Sequence, residues 1–559
     1  MNATVTHQSM LGHTLVLGAN KVNEFKFGIS RLEAVNGNLH TFNPAWDIVG
    51  QLKIPALTDI PLFYGIPFFT MSQFTGVGDP ANGPYSNWDT LLQWTDNFSW
   101  NKGKHSFKFG GEFVRTRFNL TGNDVARGRF TLGGTYTALP GVAPAAQNSV
   151  ADFLLGLISN AEGQLGQVVS NLRGYSTAVY FQDQWKVTPK LTVNYGLRYE
   201  LQPGYSEKYD HFSNIDFSWT NAFFPTWVRA GSGDPLQGNP PFPLPSTIPF
   251  VRDGRFGNRI FRTDYRNFGP RLGVAYSLTP KTVIRSGFGI YYVHEISNTM
   301  FDVTRNQPYT MRIQIPADQI TPNETWSRPY PVLSVSTLTP AWEWGDPTSY
   351  VPQWSFGVQR TLTRDMVLET TYVGSSGVHL NRTTYYNEPP PGPPGNLNLR
   401  RPFPQLGFIQ LVNASSHSSY HALQVRLQQR FAHGFTVLSS FSYEKSIDNG
   451  SGVRQATGDA YAPANVDNLR GERGPSAFNF GKRWTTSFLY QLPIGRGANP
   501  PKGSARGLAD GQHTDAPERL PVLGRLPEQC HVPEHRFHLP RRRRGRFPEA
   551  FQPHTERLV

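Results

Sequence analysis

The chain has 559 residues, a formal net charge of +13, 13% aromatic residues, 17% charged residues and one cysteine, Cys530. No apolar run approaches the roughly 18 residues of a membrane-spanning helix, and a lone cysteine excludes an intrachain disulfide framework and most cysteine-based zinc sites. The charge is spread over the whole length with a local excess only at the far C-terminus, so no nucleic-acid partner is expected.

Residues 1–21 carry no basic segment followed by an apolar stretch and a small-residue cleavage site; they are expected to be the poorly defined start of a fragment. Candidate strands follow at 22–31, 92–100 and 106–118, the last two joined by a hairpin turn at 101–104, and at 127–137. The most regular segment is 175–201, two long strands around a turn at Pro189. On its second half Leu191, Val193, Tyr195, Leu197, Tyr199 and Leu201 point one way, while Thr192, Asn194, Gly196, Arg198 and Glu200 point the other. Soluble strands usually run about 5 to 6 residues, whereas a tilted strand crossing a bilayer needs about 9 to 11. The length and alternation therefore predict a transmembrane antiparallel β-barrel, and a mean hydropathy of −0.43 is no objection because every second residue faces a wet lumen.

Further pairs are predicted at 270–278 with 282–293, at 353–362 with 366–380, and at 420–431 with 434–445. Their turns lie at 279–281, 363–365 and 432–433. Residues 482–492 form a last strand, giving about a dozen to sixteen in all. Pro189 and Pro280 sit in turns because proline fixes φ and cannot feed a central ladder. Long stretches at 202–268, 294–352, 381–417 and 446–480 separate the pairs, and connections of this length usually carry function. Short turns on one side and long loops on the other fit an outer-membrane barrel with periplasmic turns and extracellular loops. The proline run at 389–394 would be a stiff extended stretch in one such loop.

Several short segments occur in an order that resembles the Oar-like family of TonB-dependent outer-membrane receptors. They are SVADFLLG at 149–156, VYFQDQW at 179–185, YGLRYE at 195–200, NFGPRLG at 267–273, QWSFGVQR at 353–360, YVGSSG at 372–377 and ERGPS at 472–476. The resemblance covers about residues 22–495. It implies a barrel of the twenty-two-stranded type, of which 22–496 would be a part, in the outer membrane of a Gram-negative-type bacterium. It further implies a receptor and transporter that is not an enzyme, holds no cofactor, and captures a small solute, oligosaccharide, peptide or metal chelate with its loops. The implied partners are outer-membrane lipid and an inner-membrane TonB-type energy-coupling complex acting on a plug. Neither plug nor signal peptide is recognisable in the sequence, so the chain is not expected to transport alone.

Alternation vanishes beyond about residue 497, where proline, histidine and arginine dominate. Residues 497–559 are expected to be a disordered, out-of-frame tail, since codons for 508–511 read two nucleotides later can spell the Gly-Gly-Trp with which a family strand opens. Cys530, His531, His535 and His538 are close enough in sequence to suggest zinc, but Pro533 and Pro540 break the helix that would align them. No nucleophile elbow, phosphate loop or His-Glu-x-x-His motif gives catalysis an anchor.

The candidate functional residues are two sets. Arg198, Glu200, Arg285, Arg426 and Arg430 fall on polar strand faces, where lumen groups tune passage of solute; Asp183 is grouped with Arg198 and Glu200 as ordinary lumen charge. Tyr175, Trp185, Trp354 and Tyr372 are expected in the aromatic girdles at the membrane interfaces. The alternative is a soluble β-rich glycan-binding or adhesive protein, which would call for strands shorter than about seven residues and a repeat of about 40 to 50. Neither is visible.

Overall fold

The computed structural model describes residues 2–490 except 55–56, 58–59, 167, 218–224, 238–247, 296–299, 317, 319, 331–337, 433–434 and 454–461. The predicted turn residue His433 and the tail 497–559 lie outside the described residues. Residues 1–486 form one compact unit and 487–559 a second.

The first unit is built on one large antiparallel meander. Its long strands are β1 (Asn2–Val16), β2 (Lys21–Asn36), β3 (Tyr85–Lys102), β4 (His105–Gly122), β5 (Val169–Thr188), β6 (Leu191–Leu201) and β7 (Phe268–Thr279). They continue with β8 (Thr282–Tyr292), β9 (Tyr350–Thr361), β10 (Met366–Tyr386), β11 (Phe408–Ala432), β12 (Phe435–Asp448) and β13 (Lys482–Tyr490), of which this unit holds residues 482–486. Each pairs with its neighbour in chain order. Hairpin turns close one end, and every long connection therefore returns at the other.

The register carries one alternation across the whole wall. Tyr195 and Leu197 are 39% and 46% exposed, while Glu200 between the opposite-facing residues is 9% exposed. Following the pairs sideways, Phe113, Thr177 and Leu201 share the apolar face, and Glu112, Ala178 and Glu200 share the polar face. A water-soluble sheet would hide the apolar face; here it is the exposed one, as a lipid-bathed strand requires.

Three departures from the sequence expectations have physical causes. Residues 2–16, left without an element, pair with β2 along their whole length; the threonines, histidines and glutamine on both faces hide the alternation. The predicted strand at 127–137 is not in the wall. Only Arg129–Leu132 is strand, and it pairs with Phe68–Met71 and Asn160–Leu165 in a separate small sheet. Its alternation buries Phe130 and Leu132 in a small protein core, and lipid has no part in it. The 381–417 stretch is strand at both ends, because β10 and β11 continue beyond the hairpin core to Tyr386 and from Phe408. Its asparagines, serines and threonines obscure the period because this part of each strand needs no lipid-facing side.

Above the wall, the long connections fold into an ordered cap. Phe68–Met71, Arg129–Leu132, Asn160–Leu165 and Met311–Pro316 make a four-stranded sheet. The helix Ala146–Leu155 lies beside it and ends at Gly156 with φ +74°. A Cβ there would stand 2.7 Å from the Trp326 ring, so glycine serves both the left-handed stop and the ring's approach.

Candidate functional site

β4 shows how the wall and cap are joined. Its apolar residues Phe107, Phe109 and Phe113 occupy the exposed face; nearer the loop end Phe118 and Leu120 occupy the opposite face and are buried. The apolar side of the strand has switched. Phe118, Leu120 and Leu172 pack there against Met300, Phe301, Val303 and Trp342, which come from the connection between β8 and β9. The cap is thus seated on the polar side of the wall, above the charged residues.

An ion-pair chain runs through this seat. Asp302 lies 3.1 Å from Arg305, and Arg305 also pairs with Asp124. Arg312 bridges Asp124 at 3.2 Å and Glu162 at 3.4 Å, and Arg129 Nε donates to Glu162 Oε1 at 2.9 Å. Tyr85 at the start of β3 donates to Asp124. Tyr85 apart, these residues belong to two separate loops, 123–168 and 293–349, so the chain of charges ties one loop to the other. Burial pushes the Glu324 carboxyl up to about 9 and that of Asp346 up to about 7. Asp346 still accepts the Ala414 N–H at 2.6 Å, anchoring the cap to β11.

Below the cap, Arg198 and Glu200 lie together on the polar face within a network that crosses four strands. Gln93 Nε2 donates to Glu112 Oε1 at 2.7 Å, and Arg198 Nη2 donates to Glu112 Oε2 at 3.0 Å. Arg198 Nε donates to Glu200 Oε1 at 2.9 Å, and His294 Nε2 lies 2.6 Å from Glu200 Oε2. Tyr180 reaches across Gly110 to Asn97 Oδ1 at 2.6 Å; a Cβ on Gly110 would be 2.4 Å from the tyrosine ring. Arg285 stands on the same face, donating to Gln359 at 2.7 Å. Arg426 faces Glu369 and Ser440 in register, and Arg430 sits at the turn end, its N–H bonded to the Asp365 carbonyl. The structure therefore joins only Arg198 and Glu200, while the three other arginines stand apart from them.

Asp183 does not belong to this group. It pairs in register with Phe107 and Tyr195 on the apolar face, where it is 0% exposed. His105 Nδ1 is 2.6 Å from its Oδ2, and the Tyr195 hydroxyl donates to the same oxygen at 3.0 Å. The QDQ sequence misleads because its glutamines face one way and the aspartate the other.

Tyr175 and Trp185 are on the apolar face of β5, ten residues apart along one strand. Trp185 stacks on His105 at 5.5 Å beside the turn. Trp354 and Tyr372 stand on the same face of β9 and β10, and the Tyr372 hydroxyl is 2.7 Å from His421 Nδ1.

A depression of about 360 Å³ opens on the polar face across β6 to β9. Gly196, Gly273, Gly287 and Gly289 leave its floor bare, and Arg271 lies 4.7 Å from the Tyr291 ring centroid at its edge. It has the polarity of a passage wall. No group of metal-ligating side chains gathers among the described residues.

No curated protein sequence matches the chain. In structure it is similar to the outer membrane transporter YddB from Escherichia coli, with TM-score 0.46 and 11% identity, covering 87% of this chain and 48% of that one. It is also similar to the FrpB iron transporter from Neisseria meningitidis (TM-score 0.41, 10% identity, 88% and 50% covered). A further likeness is to the ferric yersiniabactin uptake receptor FyuA from Yersinia pestis (TM-score 0.36, 8% identity, 80% and 43% covered). The chain spans about half the length of these solved proteins. The model of the outer membrane beta barrel domain matches residues 2–513, in agreement with the long alternating strands, and the chain belongs to that family of outer-membrane proteins.

Proposed function

We propose that the chain is the barrel portion of an outer-membrane transporter of the TonB-dependent, Oar-like type, whose loops capture a ligand that then passes along the polar face. The observation that carries this reading is the division of the wall: an exposed apolar face, an opposite face bearing Arg198, Arg271, Arg285 and Arg426, and an ordered cap over that face. Arg198 is neutralised by Glu112 and Glu200, and it is Arg271 and Arg285, as fixed cations on a wet wall, that favour anionic or strongly hydrogen-bonding solutes. A siderophore-like chelate, an acidic oligosaccharide and a peptide all meet that description. Energy coupling through an inner-membrane complex and a plug belongs to the full-length relatives implied by the resemblance. The family assignment leaves the soluble glycan-binding alternative without support.

The test is solute flux through vesicles containing the folded chain, using paired small solutes of equal size and opposite charge. Anions are expected to pass faster, and Arg285→Ala with Arg426→Ala is expected to narrow the difference severalfold. Flux equal to that of protein-free vesicles, with no solute retained by the protein, would sink a passage role for this chain.

A further inference from the structure

The apolar face ends abruptly at the loop side of β4. From His105 through Phe113 it is mostly aromatic, and then it turns to Arg115 and Arg117. The stretch from His105 to Arg115 is eleven residues. At about 3.4 Å per residue and a tilt of about 40°, it rises about 28 Å, the height of a lipid-facing band. Arg115 and Arg117 therefore stand at headgroup level on the outside of the wall.

They are not alone there. Arg117 lies directly opposite Arg173 of β5, and Arg115 lies opposite Tyr175. Ser206 pairs directly with Arg173 and bridges in turn to Arg259, whose guanidinium is 5.7 Å from the Tyr175 ring centroid. Like charges directly opposite on paired strands are destabilising. Within the protein this is offset only in part, by the field of the Glu207 carboxylate at Arg173. Arg173 donates to the neutral Asn119 side chain and Leu172 carbonyl, and none of the four arginines is in an ion pair among the described residues. Glu207, the carboxylate beside Arg173 in sequence register, pairs with Leu172 on the other face of the sheet. Its oxygens are taken by the N–H groups of Asn171, Tyr209 and His211.

We propose that this row, Arg115, Arg117, Arg173 and Arg259 around Tyr175, binds the phosphate of a lipid headgroup in the leaflet on the loop side. Guanidinium forks match phosphate oxygens two at a time, and an aromatic ring at this height is at home among headgroups. The inference rests on the outer-membrane setting and is independent of any transport role.

The probe is diphosphorylated lipid A, with its dephosphorylated form as the control, each mixed into phosphatidylcholine nanodiscs with the full folded chain. Lipid retained after release is read by native mass spectrometry. The phosphorylated lipid is expected to stay bound and the control to leave. Arg117→Gln with Arg173→Gln is expected to weaken retention by about fivefold per charge removed. The same double variant should melt at a higher temperature than the unmodified chain in neutral detergent, where the repulsion is unrelieved, and lose that advantage when lipid A is present. Equal retention of the two lipids, or undiminished retention by the variant, overturns the proposal. Release by millimolar inorganic phosphate would make the row a free-anion site and overturn the lipid assignment. Should the double variant not fold, the two lipids compared on the unmodified chain decide the matter.

Discussion

At the level of single residues, the polar face is held by groups that satisfy one another, and removing one leaves the others stranded. Arg198→Met would leave Glu112 and Glu200 facing each other without their shared cation. Because the side chains are 22%, 30% and 12% exposed, solvent screens part of the effect, and the expected loss is about 1 to 2 kcal/mol, between exposed and buried pairs. A lowered urea midpoint for the chain in vesicles would register it. Gly110→Val is expected to be comparably damaging for a steric reason, since the Tyr180 ring must leave and its bond to Asn97 is lost. Glu324 makes a prediction about pH. Its folded value of about 9 is raised above the usual carboxylate range by burial, so the folded cap holds a proton that the unfolded chain releases near pH 4.5. Its contribution is complete below about pH 4.5 and is lost as pH rises through about 9. Amide exchange around residues 158–165 is expected to quicken across that window, and Glu324→Gln should flatten the dependence. An unchanged slope in the variant would show that other groups control it.

At the level of elements, the cap and the wall are stabilised differently and should fail separately. Arg305 is 5% exposed and serves both Asp124 and Asp302. Arg305→Met removes the cation that Asp302 and Asp124 share beside a protein core while Arg312 stays on Asp124, an effect of about 2 to 3 kcal/mol. Protease cuts within 123–168 and 293–349 are expected to appear while the strands remain protected. Simultaneous loss of the strands would mean that wall and cap unfold as one. The same division explains what the sequence reveals. The hairpins of β3 to β10 are legible because lipid imposes an uninterrupted period of two over many residues, and because Pro189 and Pro280 mark the turns. The cap is not legible, since its strands are short, join distant parts of the chain, and take their burial from one another. Arg129–Leu132 therefore imitates a wall strand. The exchange of apolar sides between Phe113 and Phe118 was present in the sequence as a usable sign that lipid gives way to protein. For the polar face, Arg198 and Glu200 could be paired by their spacing, whereas Glu112, Gln93 and His294 reach them only through strand register.

At the level of the molecule, the family and the wall agree on an outer-membrane protein whose lipid contact is confined to the hairpin half of its strands. Folded in vesicles, it should resist extraction by alkaline wash and show antiparallel-sheet infrared absorption; release by the wash would contradict membrane-spanning strands. The crossing-over of apolar residues within β4 has a wider consequence. One continuous ladder is solvated at one end by hydrocarbon and at the other by the protein's own loops. The two ends therefore obey different rules of substitution: between Phe107 and Phe113 one greasy side chain can replace another with little effect, while at Phe118 and Leu120 shape is fixed by what sits above. New ligand preferences can thus arise by refashioning the cap's underside and its seat together, leaving the part of the strand that insertion depends on untouched.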